Sequence, residues 1–177
     1  MKNNNTIPDI ITIAKGMGNG LGIIGAVISK RSIADAFSKK MFFNTYSGNP
    51  VSTIASLGVL EVIENEKLVS NCYNMGNTFK KELTRLCNEY PSVYCNNRGV
   101  GLFQAIEIQG PTQEKKIERL NNMHSKTLDY GVLIGKGSAA KDVFRIQPPM
   151  CIDKPDVLKV IDMLEDLALQ ELKKNSI

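Results

Sequence analysis

Residues 11–20, Ile-Thr-Ile-Ala-Lys-Gly-Met-Gly-Asn-Gly, carry the strongest signal for both fold and chemistry in this sequence. An apolar run rich in β-branched residues ends in Lys15, and glycines then follow at every second position. This order predicts a buried strand that ends in a lysine beside backbone with little side-chain cover. Burial disfavours the charged form of a lysine, so an amine held there can act as a nucleophile.

The electrophile that suits such an amine is an aldehyde. The commonest aldehyde cofactor is pyridoxal phosphate, which enzymes hold as a Schiff base on a lysine. Composition alone favours a simpler alternative, in which Lys15 is an exposed lysine in a turn. Further motifs elsewhere in the chain are needed to distinguish a cofactor-binding lysine from an exposed lysine in a turn.

Overall composition excludes several classes of function. The 177 residues are 42% hydrophobic and 23% charged, as in an ordinary globular protein of one domain or one domain with a small partner. The net charge is +4, but the basic residues are scattered, which argues against nucleic-acid binding. No apolar run reaches ~18 residues, so no membrane span is predicted. The four cysteines and one histidine lack metal-ligand spacing, so we expect no metal site and the reduced thiols of an intracellular protein.

The first third of the chain is mostly apolar and predicts few strands. After the glycines, residues 23–29 form a continuous apolar run, typical of a strand buried on both faces. Ser32 is a suitable N-cap for a short helix, and residues 42–50 are rich in turn formers. The long helix that follows, over residues 51–63, has so few polar positions that it should be buried nearly all round.

The remainder of the chain changes in character after a polar break at residues 64–67. An amphipathic helix comes first, with apolar residues every three or four positions until Pro91. The chain ends in a helix capped by Asp153. Between them the pattern predicts strands at 93–101, 102–108, 131–135 and 143–146, a helix over 113–130 and a turn at 136–141. We expect His124 to be a packed or half-exposed histidine and Arg98 to bond the carbonyls of a turn.

The sequence therefore predicts an α/β protein in two parts, residues 1–65 and residues 66–177. The second part has enough strands and helices for a compact subdomain. The first part has too few strands for a sheet of its own, so we expect further sequence upstream of Met1.

Four segments, in this order, resemble landmarks of the class III aminotransferases, a family in the fold type I group of pyridoxal-phosphate enzymes. They are residues 8–20, 44–50, 98–102 and 144–150. The resemblance covers nearly the whole chain and implies the C-terminal part of that α/β fold. Residues 1–65 would be the end of the large cofactor-binding domain with the start of the interdomain helix, and residues 66–177 the small C-terminal α/β domain.

The resemblance also implies roles for three side chains. Lys15 would bind pyridoxal 5'-phosphate covalently and carry a proton during transfer, with residues 18–20 letting backbone lie close to it. Thr45 would donate its hydroxyl to the cofactor phosphate, in this family usually across a dimer interface. Arg145 would bind the substrate carboxylate, which suits a flat guanidinium. From the residues alone, Thr45 could instead stabilise its own turn, and Arg145 could form a surface ion pair.

The implied activity moves an amino group from alanine to glyoxylate or a similar 2-oxo acid, because that subgroup of the family is the most similar. An ethanolamine-phosphate-type phospholyase or another ω-aminotransferase is the alternative within the class. The resemblance further implies a homodimer or homotetramer and a mitochondrial location, otherwise a cytoplasmic one. The chain departs from the family pattern at Ser47, at Gly22 and at the pair Gln104–Ala105, which concerns fine geometry more than cofactor use.

The family's full chain is more than twice as long as this sequence. Its upstream part carries the glycine loop around the phosphate, the aromatic residue that stacks on the cofactor ring and the aspartate that pairs with the pyridine nitrogen. We therefore expect this chain alone to be a poor enzyme. A third hypothesis, from another class of function, is a non-catalytic fragment that binds the full-length subunit.

Overall fold

The computed structural model describes residues 6–174 of the chain. The chain divides into two units, with unit one ending at Glu66 and unit two beginning at Lys67. The assignment of residues 1–65 to a large cofactor-binding domain and of residues 66–177 to a small domain stays a prediction.

Unit one contains one β-hairpin and two helices. Strands β1 (Ile10–Ile13) and β2 (Ala26–Ser29) pair antiparallel. Helix α1 (Arg31–Ser38) begins before Ser32, so the prediction that Ser32 is its N-cap is wrong. Helix α2 (Pro50–Asn65) follows an irregular loop, as the turn formers of that loop predict.

Burial in unit one is lower than the sequence predicts. Strand β2 is shorter than the strand predicted at 23–29, and its Val27 and Ile28 side chains are 69% and 53% exposed. Helix α2 buries only Ser52 and Ser56. The predictions of a strand buried on both faces and of a helix buried nearly all round are therefore wrong for this chain. The physical reason is that two strands of four residues offer too little area to cover these apolar faces within the unit.

Unit two is built on an antiparallel sheet of four strands. Its strands are β3 (Tyr94–Val100), β4 (Phe103–Ile108), β5 (Gly135–Gly137) and β6 (Val143–Ile146), in the spatial order β3-β4-β6-β5. Its helices are α3 (Leu68–Glu89), α4 (Gln113–Lys126) and α5 (Lys154–Lys174). One turn of 3-10 helix, Thr127–Tyr130, extends α4 to the end of the helix predicted there.

The strand predicted at residues 131–135 is wrong. Gly131, with φ 68°, ends the helical segment, and the Val132 N–H donates to the Thr127 carbonyl at 3.1 Å. Residues 131 and 132 therefore complete the helix end, and pairing with β6 begins only at Gly135. Strand β5 thus falls mostly inside the segment that was predicted to be a turn.

One face of this sheet is covered by helices. Alternate residues of the two central strands, Ile106, Ile108 and Phe144, are buried together with Phe79 of α3 and Leu164 of α5. The apolar spacing of both helices therefore does mark the faces that pack on the core, as predicted. Among the described residues, no helix combines the length and the apolar content needed to cross a membrane.

Two predictions for single residues of unit two are confirmed, and a third is wrong in its setting. The Asp153 carboxylate caps α5, because its Oδ1 accepts the backbone N–H three residues later at 3.0 Å. His124 is half-buried, with its Nε2 3.0 Å from the Ile134 carbonyl oxygen. Arg98 donates to the Asn96 carbonyl at 3.4 Å, but this carbonyl lies at an irregularity within β3, so the prediction that Arg98 bonds the carbonyls of a turn is wrong.

Candidate active site

Lys15 follows β1, as the sequence predicts, but three of the four residues of β1 are exposed, so the prediction that this strand is buried is wrong for this chain. Lys15 begins one turn of 3-10 helix, Lys15–Gly18, and its own backbone is left-handed, with φ 59°. Asn19 is also left-handed, with φ 45°, and ends this turn by donating its N–H to the Gly16 carbonyl at 3.2 Å. Left-handed backbone is uncommon for residues other than glycine and concentrates at functional sites.

The glycines that follow Lys15 allow its turn to lie against α2. A Cβ atom at Gly22 would lie 2.6 Å from the Ser52 Cα, so only glycine fits at this point. A Cβ atom at Gly18 would come 3.3 Å from the Ile24 Cγ2 atom. The lysine turn is therefore packed against the first turn of α2, the helix that follows the loop containing Thr45.

The side chain of Lys15 is exposed. A Cβ atom at Gly16 or Gly20 would meet no atom within 4 Å, so the backbone beside the lysine borders open space. The prediction of a desolvated amine in a socket walled by glycine is therefore wrong for this chain by itself. Within residues 6–174, the amine takes part in no hydrogen bond or ion pair.

Thr45 lies in the exposed loop between α1 and α2. The turn is stabilised by its neighbour Asn44, whose Oδ1 accepts the Tyr46 N–H at 3.0 Å. The end of the loop is fixed by Asn49, whose Oδ1 accepts the Ser52 N–H at 3.1 Å and caps α2. The alternative role of Thr45, stabilising its own turn, is therefore filled by asparagines. In the described part of the chain, its hydroxyl has no partner.

Arg145 lies on β6, and its neighbours across the sheet have little or no side chain. It pairs with Ala105 on one side and with Gly135 on the other. A Cβ atom at Gly135 would lie 3.3 Å from the Arg145 Nε, and one at Gly137 would lie 3.6 Å from its Cδ. The arginine side chain therefore extends across β5, over two glycines of the same face.

Two pockets border Arg145. One has a volume of about 330 Å³ and is mostly apolar, with the lining residues Phe79, Val132, Leu133, Ile134, Gly135, Ile146, Gln147, Pro148, Pro149 and Val160. The other has a volume of about 370 Å³ and lies on the sheet face opposite the core, with the lining residues Arg98, Gly99, Val100, Phe103, Gln104, Ala105, Gly137, Ser138 and Val143. The guanidinium of Arg145 therefore has space for a small ligand beside it.

Gln104, one of the departures from the family pattern, is buried behind the second pocket, with 3% of its surface exposed. Its Nε2 donates to the Gly101 carbonyl at 2.7 Å and so closes the turn between β3 and β4. Its Oε1 has no hydrogen-bond partner among the described residues. A Cβ atom at Gly99 would lie 2.2 Å from the Phe103 carbonyl oxygen and 2.7 Å from this glutamine oxygen, so only glycine fits at position 99.

The three predicted site residues are not joined by a contact within either unit. Lys15 and Thr45 belong to unit one, where no hydrogen bond links them, and Arg145 belongs to unit two. Their roles stay predictions. Sequence reasoning missed the two glycines that make room for Arg145, Gly135 and Gly137. Their spacing of two, at the end of the strand predicted at 131–135, is the signal that would have identified them, because alternate residues of a strand share a face.

A comparison with protein families settles the class. The family model described as aminotransferase class-III matches residues 1–168. The chain belongs to the class III aminotransferases. This confirms the resemblance drawn from the four segments, and enzymes of this family use pyridoxal 5'-phosphate.

Curated relatives of this class III chain include alanine–glyoxylate aminotransferases. The chain is 39% identical over 164 residues to Alanine--glyoxylate aminotransferase 2 homolog 2, mitochondrial, of Arabidopsis thaliana, covering 92% of this chain and 34% of the relative. It is 33% identical over 177 residues to Alanine--glyoxylate aminotransferase 2, mitochondrial, of Homo sapiens, covering 98% of this chain and 34% of the relative. The chain therefore spans about a third of the length of these relatives.

Solved structures show the same fold. A new transaminase from the marine bacterium Virgibacillus matches with a TM-score of 0.86 at 24% identity, over 98% of this chain and 41% of that one. A phospholyase from Arthrobacter in complex with phosphoethanolamine matches with a TM-score of 0.84 at 29% identity, over 95% of this chain and 40% of that one. The predicted fold class, α/β and part of the fold type I transferases, is confirmed.

Proposed function

We propose that this chain is part of a pyridoxal-phosphate-dependent aminotransferase that moves an amino group from alanine to glyoxylate or a similar 2-oxo acid. The observation that carries the proposal is the 39% identity over 164 residues to an alanine–glyoxylate aminotransferase of Arabidopsis thaliana. Since the chain spans about a third of that relative, the activity belongs to a larger protein that contains these residues.

The donor set of unit one fits pyridoxal 5'-phosphate. The group presents an aldehyde and a phosphate, and unit one offers a primary amine at Lys15 and a hydroxyl at Thr45, neither with a partner among the described residues. The left-handed backbone at Lys15 supports this assignment, because such strain is retained at sites of function. When bound, the cofactor acts as an electron sink for the substrate Cα.

Lys15 would hold the cofactor covalently through its Nζ and, once displaced by the amino acid, act as the base. Its freed Nζ would accept the proton from the substrate Cα as a general base. The same nitrogen would later give that proton up as a general acid. The Lys15 side chain is exposed in this chain, so a surface from the rest of the protein would have to cover it for this role.

Thr45 would donate its Oγ1 hydrogen to a phosphate oxygen of the cofactor. The loop around it supports the role, because Asn44 and Asn49 already supply the turn and cap hydrogen bonds. The Thr45 hydroxyl is thereby left for a ligand. We propose that this phosphate belongs to the cofactor of a second copy of the protein, so that Thr45 reaches it across a dimer interface.

Arg145 would bind the carboxylate of the amino acid and of the 2-oxo acid. Its guanidinium forms no ion pair with any carboxylate of the described chain, and it borders a pocket of about 330 Å³. A planar guanidinium forms two parallel hydrogen bonds to a carboxylate, which fixes the orientation of the substrate as well as holding it.

Assembly and location belong to the same proposal. Unit one exposes large apolar side chains along α2, including Val51, Ile54 and Leu57, which are 68%, 68% and 55% exposed. Apolar surface of this kind is covered by other protein in an assembled molecule, and a homodimer or homotetramer would cover it together with the rest of the subunit. The relatives carrying the word mitochondrial in their names support a mitochondrial location.

The test uses the natural gene product that contains this chain. With pyridoxal 5'-phosphate added, we expect an absorbance band near the edge of the visible range that bleaches with borohydride. A Lys15→Ala variant should lack the band, whereas the matched control Lys39→Ala, at another exposed lysine of unit one, should retain it. Absence of the band from the unmodified protein, or its persistence in Lys15→Ala, would refute the assignment.

A phospholyase is the second candidate. The chain is 30% identical over 168 residues to Ethanolamine-phosphate phospho-lyase homolog 1 of Caenorhabditis elegans, covering 91% of this chain and 35% of the relative. Assays with alanine plus glyoxylate and with phosphoethanolamine separate the two activities. Release of inorganic phosphate from phosphoethanolamine without amino transfer would favour the phospholyase.

A further inference from the structure

We propose that Arg98 is a positioning residue for Arg145. By holding the Glu107 carboxylate, Arg98 keeps the guanidinium of Arg145 unpaired and available to the substrate carboxylate. This inference rests on the proposed role of Arg145 and adds the reason why that arginine is free.

The register of the sheet brings these three residues together. Arg98 on β3 lies opposite Ala105 on β4, and Ala105 lies opposite Arg145 on β6. Ala105 and Glu107 are two residues apart on one strand, so both face away from the buried side. The sheet face opposite the core therefore carries two arginines and one glutamate, with a single alanine between the arginines.

Glu107 is occupied by two other cations and one neutral amide. Its Oε2 lies 3.2 Å from the Arg98 Nη1 and 3.5 Å from the Asn96 Nδ2, and its Oε1 lies 3.8 Å from the Lys116 Nζ. Arg98 makes the closest of these contacts. The glutamate side chain is 19% exposed, so water screens this carboxylate only in part.

The Arg145 side chain extends over β5 in this structure, and a change of its rotamer towards β4 would bring it to the same carboxylate. Residues on neighbouring strands that are offset by two positions have Cα atoms about 7–8 Å apart, a gap that long side chains bridge. Arg145 and Glu107 stand in this diagonal relation, since Glu107 is opposite Val143. Nevertheless, within residues 6–174 no carboxylate pairs with Arg145. The carboxylate on its own face is already held by Arg98.

The irregularity of β3 helps to aim Arg98 at Glu107. The pairing of β3 with β4 shifts register between Cys95 and Arg98, and Asn96 within the shift has left-handed backbone, with φ 46°. A bulge of this kind redirects the side chain that follows it. Here the Arg98 Nη1 donates to both the Asn96 carbonyl, at 3.4 Å, and Glu107. The bulge therefore orients the Arg98 side chain so that it binds the Glu107 carboxylate.

The consequence is a competition that Arg98 suppresses. A substrate carboxylate binds Arg145 only if that guanidinium is not already paired. Without Arg98, Glu107 keeps the neutral Asn96 amide at 3.5 Å and one cation, Lys116, at 3.8 Å, so the glutamate would spend part of its time on Arg145. We expect this to raise KM for the amino acid by about five-fold, as for the loss of one partly exposed ion pair, with kcat nearly unchanged.

The experiment is a rescue series in the natural gene product. Arg98→Met should raise KM for alanine about five-fold, and it should weaken binding of propionate, a carboxylate that cannot react, by a similar factor in calorimetry. Adding Glu107→Gln to Arg98→Met should restore both values to within about two-fold of the unmodified protein, because the competing charge is gone. Arg98→Lys, which keeps the cation, should stay near the unmodified protein.

The outcomes separate this inference from the proposed function. Unchanged KM and propionate binding in Arg98→Met would overturn the inference, as would a defect that Glu107→Gln fails to rescue, since that would show a purely structural role. If Arg98→Met does not fold, the double variant decides the question by the same two measurements. The proposed role of Arg145 fails separately, if Arg145→Gln leaves KM and propionate binding unchanged.

Discussion

Gly135 and Arg145 pair directly across β5 and β6, and the glycine leaves the space that the guanidinium occupies. A Cβ atom at Gly135 would lie 3.2 Å from the Arg145 carbonyl oxygen and 3.3 Å from its Nε. Both distances are tighter than a side-chain carbon normally accepts. The position of the Arg145 guanidinium therefore depends on the absence of a side chain at Gly135.

We predict that Gly135→Ala displaces the Arg145 side chain and weakens binding of the amino acid. The added methyl group forces the Nε away by a few tenths of an ångström, which disturbs a bidentate carboxylate contact. We expect KM for alanine to rise roughly three- to ten-fold. Stability should change little, because alanine costs a strand less conformational entropy than glycine. Steady-state kinetics and thermal unfolding check the two statements.

Gly137→Ala is the matched control. The nearest atoms to a Cβ at Gly137 belong to the same arginine, but at 3.6 Å and 3.7 Å they are in ordinary contact. This variant should therefore keep KM close to that of the unmodified protein. If Gly135→Ala and Gly137→Ala changed KM equally, the position of the guanidinium would not control substrate binding.

We predict that Gly76→Ala strongly destabilises unit two. Gly76 is buried in α3, and a Cβ there would lie 2.3 Å from the carbonyl oxygen of Gly101 and 2.6 Å from its Cα. These are backbone atoms of the turn between β3 and β4, so the helix itself must move away. The free energy of unfolding should fall by about 2 kcal/mol or more, although alanine alone would favour the helix by about 1 kcal/mol.

Asn77→Ala is the control for Gly76→Ala, because it alters the next, exposed position of the same helix. It should be neutral or slightly stabilising, since alanine is the better helix former. Denaturant midpoints of both variants provide the comparison. A stable Gly76→Ala protein would mean that α3 and the turn at Gly101 are not in contact.

We predict a pH-dependent stabilisation from Glu165 on α5. Its carboxylate accepts hydrogen bonds from Arg85 Nη2 at 2.7 Å and from the Tyr90 hydroxyl at 3.0 Å, and so joins α5 to α3. These contacts, Arg85 first, lower the pKa of Glu165 below its ordinary value. A lowered carboxyl pKa stabilises the fold above the unfolded-state pKa of about 4.3, and this contribution is lost as pH falls through the lower folded-state pKa.

The measurement is the urea midpoint of Glu165→Gln at pH 7 and at pH 3. At pH 7 the variant should lose about 1 kcal/mol, since both side chains of the pair are about one-third exposed and partly screened by water. The difference should shrink at pH 3. Glu118→Gln, which breaks an exposed pair with Lys115, is the control and should cause no measurable change. A difference for Glu165→Gln that is independent of pH would contradict the assignment.

Local patterns predicted the helices of unit two because each helix carries its own evidence. In α3 the apolar residues from Leu68 to Leu86 recur at helical spacing, and the side chains at the core positions are buried. The cap at Asp153 and the end of α4 likewise depend on a few neighbouring residues. Periodicity within one segment was sufficient for these features.

Pairing between distant segments could not be predicted in the same way. Strand β5 has only three residues, two of them glycine, so neither alternation nor β-propensity marks it. Its partner Arg145 is ten positions away along the chain, and the register emerges only from the sheet. For Lys15 the strand and turn were predictable, but exposure depends on which surfaces cover the unit, and the apolar run contains no information about that.

Finally, we predict that Cys151 is the most reactive of the four cysteines in this chain. It is the exposed one, whereas Cys72, Cys87 and Cys95 are half-buried. Burial raises the pKa of each of those three thiols, which lowers their reactive thiolate fraction at neutral pH. Iodoacetamide at pH 7.5 should therefore alkylate the peptide containing Cys151 at least about ten-fold faster than the other three, as measured by mass spectrometry. Cys151→Ser should remove the fast phase, and a fast phase that survives this substitution would show that one of the half-buried thiols is the more accessible group.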